Sequence, residues 1–242
     1  MTFYTAIAKY YDLVFPLNPA QIRFTHQFLV PGLISQKVLD LGCATGKLAV
    51  ALAEDQWQVE GVDSDAIMIK MARERKGNIL QVQFHQLDMM EVGGYFSDSS
   101  FQVVLCYGNT LAHLSGIKEI KRLFKQAYNL LEEEGALLIQ VVNYDHVLEQ
   151  KVSSLPVIDR EQVRFIREYQ QQGDQIRFLT RLEIKERRET LENEVLLYPV
   201  TRSQLSSSLS AAGFRDIRFY ANFNGDEYQP DGMGLVVAAK RV

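Results

Sequence analysis

The sequence predicts a doubly wound α/β fold, a parallel sheet flanked by helices and carrying a block of inserted antiparallel strands. Three observations predict it. Up to Asn143 short apolar runs alternate with helical patterns, the signature of a parallel sheet wound on both faces. After Asn143 the apolar and polar residues alternate singly, as in antiparallel strands with one wet face. From Thr201 a helical pattern returns and two more strands close the chain.

The elements follow in order. Residues 3–30 read as helical, interrupted near Pro16 and Pro19. "KVLDL", 37–41, is a strand, and 47–56 has the spacing of a helix through Leu48, Ala51 and Leu52. "QVEGVD", 58–63, is a strand, followed by a helix over 65–76 that Ser64 or Asp65 can cap. "ILQVQFHQLD", 79–88, and "FQVVLCYG", 101–108, are strands, the second apolar enough to be buried on both faces. A helix over 116–131 ends at the acidic residues 132–134 and Gly135, before a strand at 136–143. "VRFIREYQQ", "QIRFLTRLEIKE" and "TLENEVLLYPV" are the antiparallel strands, with Gly173-Asp174 as a turn. A helix over 201–214, capped by Thr201 and stopped at Gly213, precedes "FRDIRFYANF" and "GLVVAAKRV", the final pair. The reading divides the chain into a main domain, 1–151 and 201–242, and an inserted β subdomain, 152–200.

Composition narrows the function. The 242 residues are 47% hydrophobic, enough for a full core, and the net charge of −4 without a long basic run disfavours a general nucleic-acid or anionic-membrane binder. Cys43 and Cys106 stand far apart, which suits a reducing compartment. The opening "MTFYTAIAKYYD" lacks the pattern of a secretory signal, and no apolar run approaches the ~20 residues of a membrane span. A cytoplasmic monomer or homodimer is expected.

The chemistry centres on "KVLDLGCATGKLAV", Lys37 to Val50. Gly42, Ala44 and Gly46 separate a strand from a helix, at the carboxyl edge of the sheet where such folds bind ligands. The spacing breaks the phosphate loop, and it places the last glycine one residue early for a dinucleotide fingerprint. S-adenosylmethionine needs a small-residue loop but no phosphate cradle. Asp40 suits its ammonium group and would repel a pyrophosphate. Asp63, ending the second strand, can accept from a ribose diol, a feature that by itself also fits NAD. Asp88, ending the third, can accept from an adenine amino group beside Met89 and Met90.

These residues give the chain a resemblance to the class I S-adenosylmethionine-dependent methyltransferases. "VLDLGCATG" resembles their first motif, Asp63 their ribose-binding acid and "LDM", 87–89, their adenine-binding turn. The resemblance implies a seven-stranded Rossmann-like sheet, with "GLVVAAKRV" as its one antiparallel strand and the insert as a β lid over the active site. "CYGNTLAHL", 106–114, and "VVNYDHVL", 141–148, are similar to stretches of glycine N-methyltransferases. Val142 stands where those enzymes carry an arginine for the substrate carboxylate, which counts against glycine itself. Tyr11, by similarity to a Y-x-x-Y-D segment, and Tyr107 are expected at the cofactor; Arg23 is a candidate partner for its carboxylate.

Asn109 and His113 follow the fourth strand and, with Tyr144, are the candidate catalytic residues; Tyr198 and Asn222 are weaker ones. "NTLA" replaces the D/N-P-P-Y/F of nucleic-acid amino methyltransferases. His26, His85 and His146 lack metal-ligand spacing, so no catalytic metal is expected. The expected function is methylation of a small molecule at nitrogen or oxygen, with S-adenosylmethionine as cofactor. An NAD-dependent reductase, a non-catalytic cofactor-binding module and a methyltransferase of RNA or protein are the alternatives.

Overall fold

The computed structural model describes residues 3–29 and 36–242, and the side chains from Ile7 onward. Two helices come first, α1 (Phe3–Val14) and α2 (Pro19–His26); Asn18 caps the second through a capping box and Pro19 fits its first turn. The main sheet contains β1 (Lys37–Leu41), β2 (Gln58–Asp63), β3 (Val82–Gln86), β4 (Phe101–Cys106) and β5 (Leu131–Val142). Between them lie α3 (Lys47–Glu54), α4 (Ala66–Lys76), the short α5 (Val92–Tyr95) and α6 (Ile117–Leu130). The helix α7 (Tyr144–Glu149) then leads into β6 (Ser154–Asp159), β7 (Val163–Gln172), β8 (Gln175–Ile184) and β9 (Glu189–Leu197). The chain ends with α8 (Arg202–Ala212), β10 (Arg215–Tyr220) and β11 (Gly234–Lys240).

The large sheet has seven strands in the order β10-β11-β5-β4-β1-β2-β3. All its neighbours pair in parallel except β11, which runs against both β5 and β10. The doubly wound sheet with one reversed strand is therefore the fold. The order of winding reverses between β1 and β4, and a crevice opens at their carboxyl ends. Every residue of β4 is buried, as its apolar run requires at the sheet's centre. One core layer packs α6 and α8 on one face and the other packs α2, α3 and α4 on the opposite face.

Three boundaries differ from expectation. The third strand is shorter, because residues beyond Gly77 turn, with Ile79 N–H bonded to the Lys76 carbonyl. The acidic run 132–134 lies in a bulge of β5: pairing jumps from Phe101–Leu131 to Val103–Ala136. Gly135 is needed there, since a Cβ would stand 2.8 Å from the Glu132 carbonyl. The sequence reading also missed β6, whose Pro156 and exposed residues mark an edge strand.

The smaller sheet has the order β6-β7-β8-β9 and is antiparallel throughout, with Gly173-Asp174 closing the β7–β8 hairpin. Its apolar face packs at one end against Ile7, Tyr10 and Val14 of α1, and at the other against Tyr144 and Val147 of α7. That packing seats the smaller sheet and α1 over the carboxyl edge of the large one.

Candidate active site

The turn after β1 is built for close approach. Gly42 and Ala44 both have positive φ, 73° and 48°. A Cβ on Gly42 would stand 2.5 Å from Thr110 Cγ2, so the glycine makes room for a side chain of the next crossover as well as for any ligand. Gly46 caps α3 in the left-handed region, with Phe84 and Ala72 packed against it. Asp63 holds the turn: its carboxylate accepts from Ala44 N–H and Asp65 N–H, each at 2.9 Å. Burial raises its pKa and those two bonds offset part of the rise.

Two cavities open along this edge. One, of about 290 Å³, runs past the tips of β2 and β3 and is lined by Asp63, Ser64, Asp88, Met89 and Met90. The other, of about 220 Å³, lies under the smaller sheet and is lined by Asp40, Val142, Arg167, Tyr169, Phe178 and Leu197. Tyr11, Gly42, Ala44, Tyr107, Gly108 and His113 line both. These six form the wall where the cavities meet.

Charge around the two cavities is mostly negative, with Asp12, Asp40, Asp63, Asp88 and Glu119 against Lys47 and Arg167. Asp40 is buried, and among the described residues none donates a hydrogen bond to its carboxylate. Burial, and then the charge of Asp63, push its pKa up to about 7. The Tyr11 phenol is pushed up by burial and by Asp63, Asp12 and Asp40. Asp12 lies at the end of α1 and takes a hydrogen bond from Thr45 Oγ1 at 2.6 Å and ion pairs from Lys47 and Arg75. That tether fixes α1 above the glycine turn. His113 is pushed down to about 4 by burial and is a neutral imidazole at pH 7.

The structure gathers Tyr11, Asp40, Gly42, Ala44, Asp63, Asp88, Met89, Tyr107, Asn109 and His113 at the two cavities. Two of the expected residues lie away from both cavities. Arg23 lies exposed on α2 and borders neither cavity. Tyr144 is fully buried and lines neither cavity, because its ring belongs to the core beneath the smaller sheet. Its hydroxyl binds Asn109 at 2.9 Å and also Tyr169, while the Asn109 carbonyl oxygen accepts from Val142 N–H at 3.0 Å. Asn109 is thus a strut between the loop after β4 and the end of β5. Asn143 ties the loop before β11 through the carbonyls of Pro230 and Gly232, at 2.9 and 2.8 Å.

Sequence reading missed Asp12, Thr110 and Arg167. Thr110 carries no local signal, and Asp12 had only its place after Tyr11 in the Y-x-x-Y-D-like segment, since the partners of both lie far along the chain. Arg167 had one: Val163, Phe165 and Tyr169 form the apolar phase of β7, and Arg167 falls in that phase. Cys43 and Cys106 are buried thiols whose pKa burial raises, Cys106 to about 12, so both stay protonated. Among the described residues there is no cluster of three metal-ligating side chains and no helix long and apolar enough to cross a membrane.

The profile of the methyltransferase domain family matches residues 38–135, the stretch that builds the turn and the strand ends just described. The glycine/sarcosine N-methyltransferase of Aphanothece halophytica is 27% identical over 212 residues, 86% of this chain and 77% of its own. Residues 38–135 thus match a methyltransferase domain, and the chain around them has the fold of the S-adenosylmethionine-dependent methyltransferases. A relative from Geobacillus sp. (strain WCH70) is 33% identical over 122 residues, 49% of this chain and 48% of its own, so the chain spans about half the length of the first curated relatives it matches. Among solved structures, the CcbJ methyltransferase of Streptomyces caelestis superposes with a TM-score of 0.80 at 22% identity, covering 98% of this chain and 97% of the other. An S-adenosylmethionine-dependent methyltransferase from Clostridium acetobutylicum gives 0.79 at 17% identity and 98% of both chains. At such identities the likeness establishes the methyltransferase fold. The donor set fits this class's cofactor, S-adenosylmethionine. A buried carboxylate with no hydrogen-bond donor among the described residues suits a cation, which the cofactor's ammonium and sulfonium supply and a dinucleotide's pyrophosphate does not.

Proposed function

We propose that this methyltransferase acts on a small molecule, at nitrogen or oxygen. The observation that supports it best is the junction of two cavities. The one past β2 and β3 suits an adenosyl group: Asp63 for the ribose diol, Asp88 for the adenine amino group, and Met89 against the ring. Asp63 keeps lone pairs to spare after its two backbone bonds. Asp40, in the neighbouring cavity, suits the ammonium of the methionyl part, and the methyl-bearing sulfonium then falls near Tyr11, Tyr107 and His113. When bound, the cofactor supplies a methyl group on an electrophilic carbon, and the chain supplies alignment and exclusion of water.

The cavity under the smaller sheet suits the acceptor, and the smaller sheet serves as its lid. Its apolar lining of Val142, Phe178 and Leu197 favours a small molecule over an extended polymer. Neutral His113 is placed to hydrogen-bond the reacting group, and an amine must arrive there with its lone pair free. Asn109 and Tyr144 support that wall without touching the acceptor. The presence of an acceptor cavity favours turnover over a binding-only role.

Calorimetry tests the reading. S-adenosylmethionine is expected to bind and NADH is not, and Asp63→Ala is expected to weaken the former at least tenfold, by removing a charged acceptor of two hydroxyls. Equal binding of NADH would overturn it. An acceptor panel read by release of S-adenosylhomocysteine then addresses the small-molecule assignment: turnover restricted to RNA or protein would sink it.

A further inference from the structure

The inward face of the smaller sheet is apolar at both ends and polar across its middle. Phe165 pairs with Leu182 and that with Leu191; Tyr169 pairs with Phe178 and that with Val195. Between these two apolar rows, Arg167 pairs with Thr180 and Thr180 with Asn193. The two rows belong to two hydrophobic clusters, one built on α1 and one on Tyr144, that meet at Phe178, and Arg167 lies between the rows. That gap is the roof of the cavity under the sheet, which Arg167 lines.

A guanidinium there is costly unless it is used. Its head cannot shed its charge, and burial already lowers its pKa. Its own fold satisfies it in part: Nη2 donates to the Pro156 carbonyl at 2.7 Å, and the group lies over the Phe165 ring at 5.8 Å. Its Nε–H is buried and has no acceptor among the described residues, and no carboxylate there forms an ion pair with it. Thr180 turns its hydroxyl to the Asn193 carbonyl at 3.3 Å, and no hydrogen bond joins it to Arg167. The other lysine or arginine lining this cavity, Lys47, is paired with Asp12.

We propose that Arg167 receives a carboxylate of the methyl acceptor, and that the acceptor is accordingly a small acid with an apolar body. The Nε–H and a free Nη hydrogen form the two-point fork that a carboxylate matches. A phosphate would present more charge and more acceptor oxygens than one arginine satisfies, in a cavity whose other wall holds Asp40. With its carboxylate under the sheet, the acceptor extends past Phe178 and Val142, and its nucleophilic atom reaches the wall of Tyr11 and His113. The polar row thus holds the acid at the smaller sheet, while the cofactor's own cation belongs at Asp40 on the large one. This assignment rests on the small-molecule reading above.

The test uses the full chain saturated with S-adenosylhomocysteine, which closes the cofactor compartment. Acetate, butyrate and phenylacetate are titrated beside their neutral amides, followed by calorimetry and by the NMR signals of arginine Nε–H groups. At least one acid is expected to bind about tenfold or more tightly than its amide, as a charge-assisted pair should, and to shift one Nε–H signal that Arg167→Met removes. Arg167→Met is expected to abolish the acid preference while keeping its affinity for S-adenosylhomocysteine, and Arg167→Lys to retain part of it. Should the methionine variant fail to fold, the lysine variant decides: an undiminished preference overturns the proposal. Amides that bind as well as acids overturn the role of Arg167 alone. If S-adenosylhomocysteine binds and neither series does, the small-molecule reading falls with it.

Discussion

Asp40 is a buried carboxylate under the influence of Asp63, and its protonation couples folding to pH. Its pKa stands at about 7 against an ordinary 3.8, with burial as the first cause. Between those values the folded chain holds a proton that the unfolded chain releases, so this group's contribution to stability falls as pH rises from about 4 to 7. We predict that Asp40→Asn removes this decline, read as the difference between variant and wild-type urea midpoints across that range. A bound ammonium reverses the preference: affinity for S-adenosylmethionine is expected to rise up to pH 7 and to fall above about 8, where an α-amino group deprotonates. The asparagine variant should lack the rising limb in calorimetry. Gly42 makes a different residue-scale case. Gly42→Ala should cost about 1–3 kcal/mol, from positive φ and from collision with Thr110. Thr110→Ser should recover part of that loss in thermal melts by removing the methyl group the new Cβ meets. The glycine was legible as a close-approach position, but the partner that approaches was not.

At the scale of elements, the stretch "VVNYDHVL", from which Tyr144 was expected at the active site, joins three parts of the fold. Asn143 holds the loop before β11, Tyr144 anchors the smaller sheet, and Asp145 accepts from Arg202 N–H at 2.7 Å at the start of α8. All three serve to seat α7 between two sheets. Tyr144→Phe is therefore expected to lower stability by about 1–3 kcal/mol, through loss of its bonds to Asn109 and Tyr169. Cofactor affinity should stay within a few fold in calorimetry; a large loss would return Tyr144 to the binding machinery. Strand positions were legible wherever an apolar run met a turn residue, as in β1, β2 and β4. They were less so in β3 and at the start of β5, where pairing rather than propensity sets the ends.

For the whole molecule, two sheets and one N-terminal helix meet at a single edge, and that meeting makes the site. Order along the chain determined the winding, the run of antiparallel strands after Asn143 and the acids at three successive strand ends, because each depends on local periodicity and turn chemistry; the reversed last strand was implied by the family resemblance alone. That order also determined the cofactor class, since the spacing of Gly42, Ala44 and Gly46 admits a phosphate-free ligand. What the tertiary structure alone decided is which side chains face that ligand and which hold the frame. Asp12 meets Thr45, Lys47 and Arg75 across long stretches of chain. Asn109 and Tyr144 turn toward each other, and Arg167 is carried from the insert onto the roof of a cavity. Such contacts are fixed by burial and by hydrogen bonds between distant segments, which leave no periodic trace in the sequence.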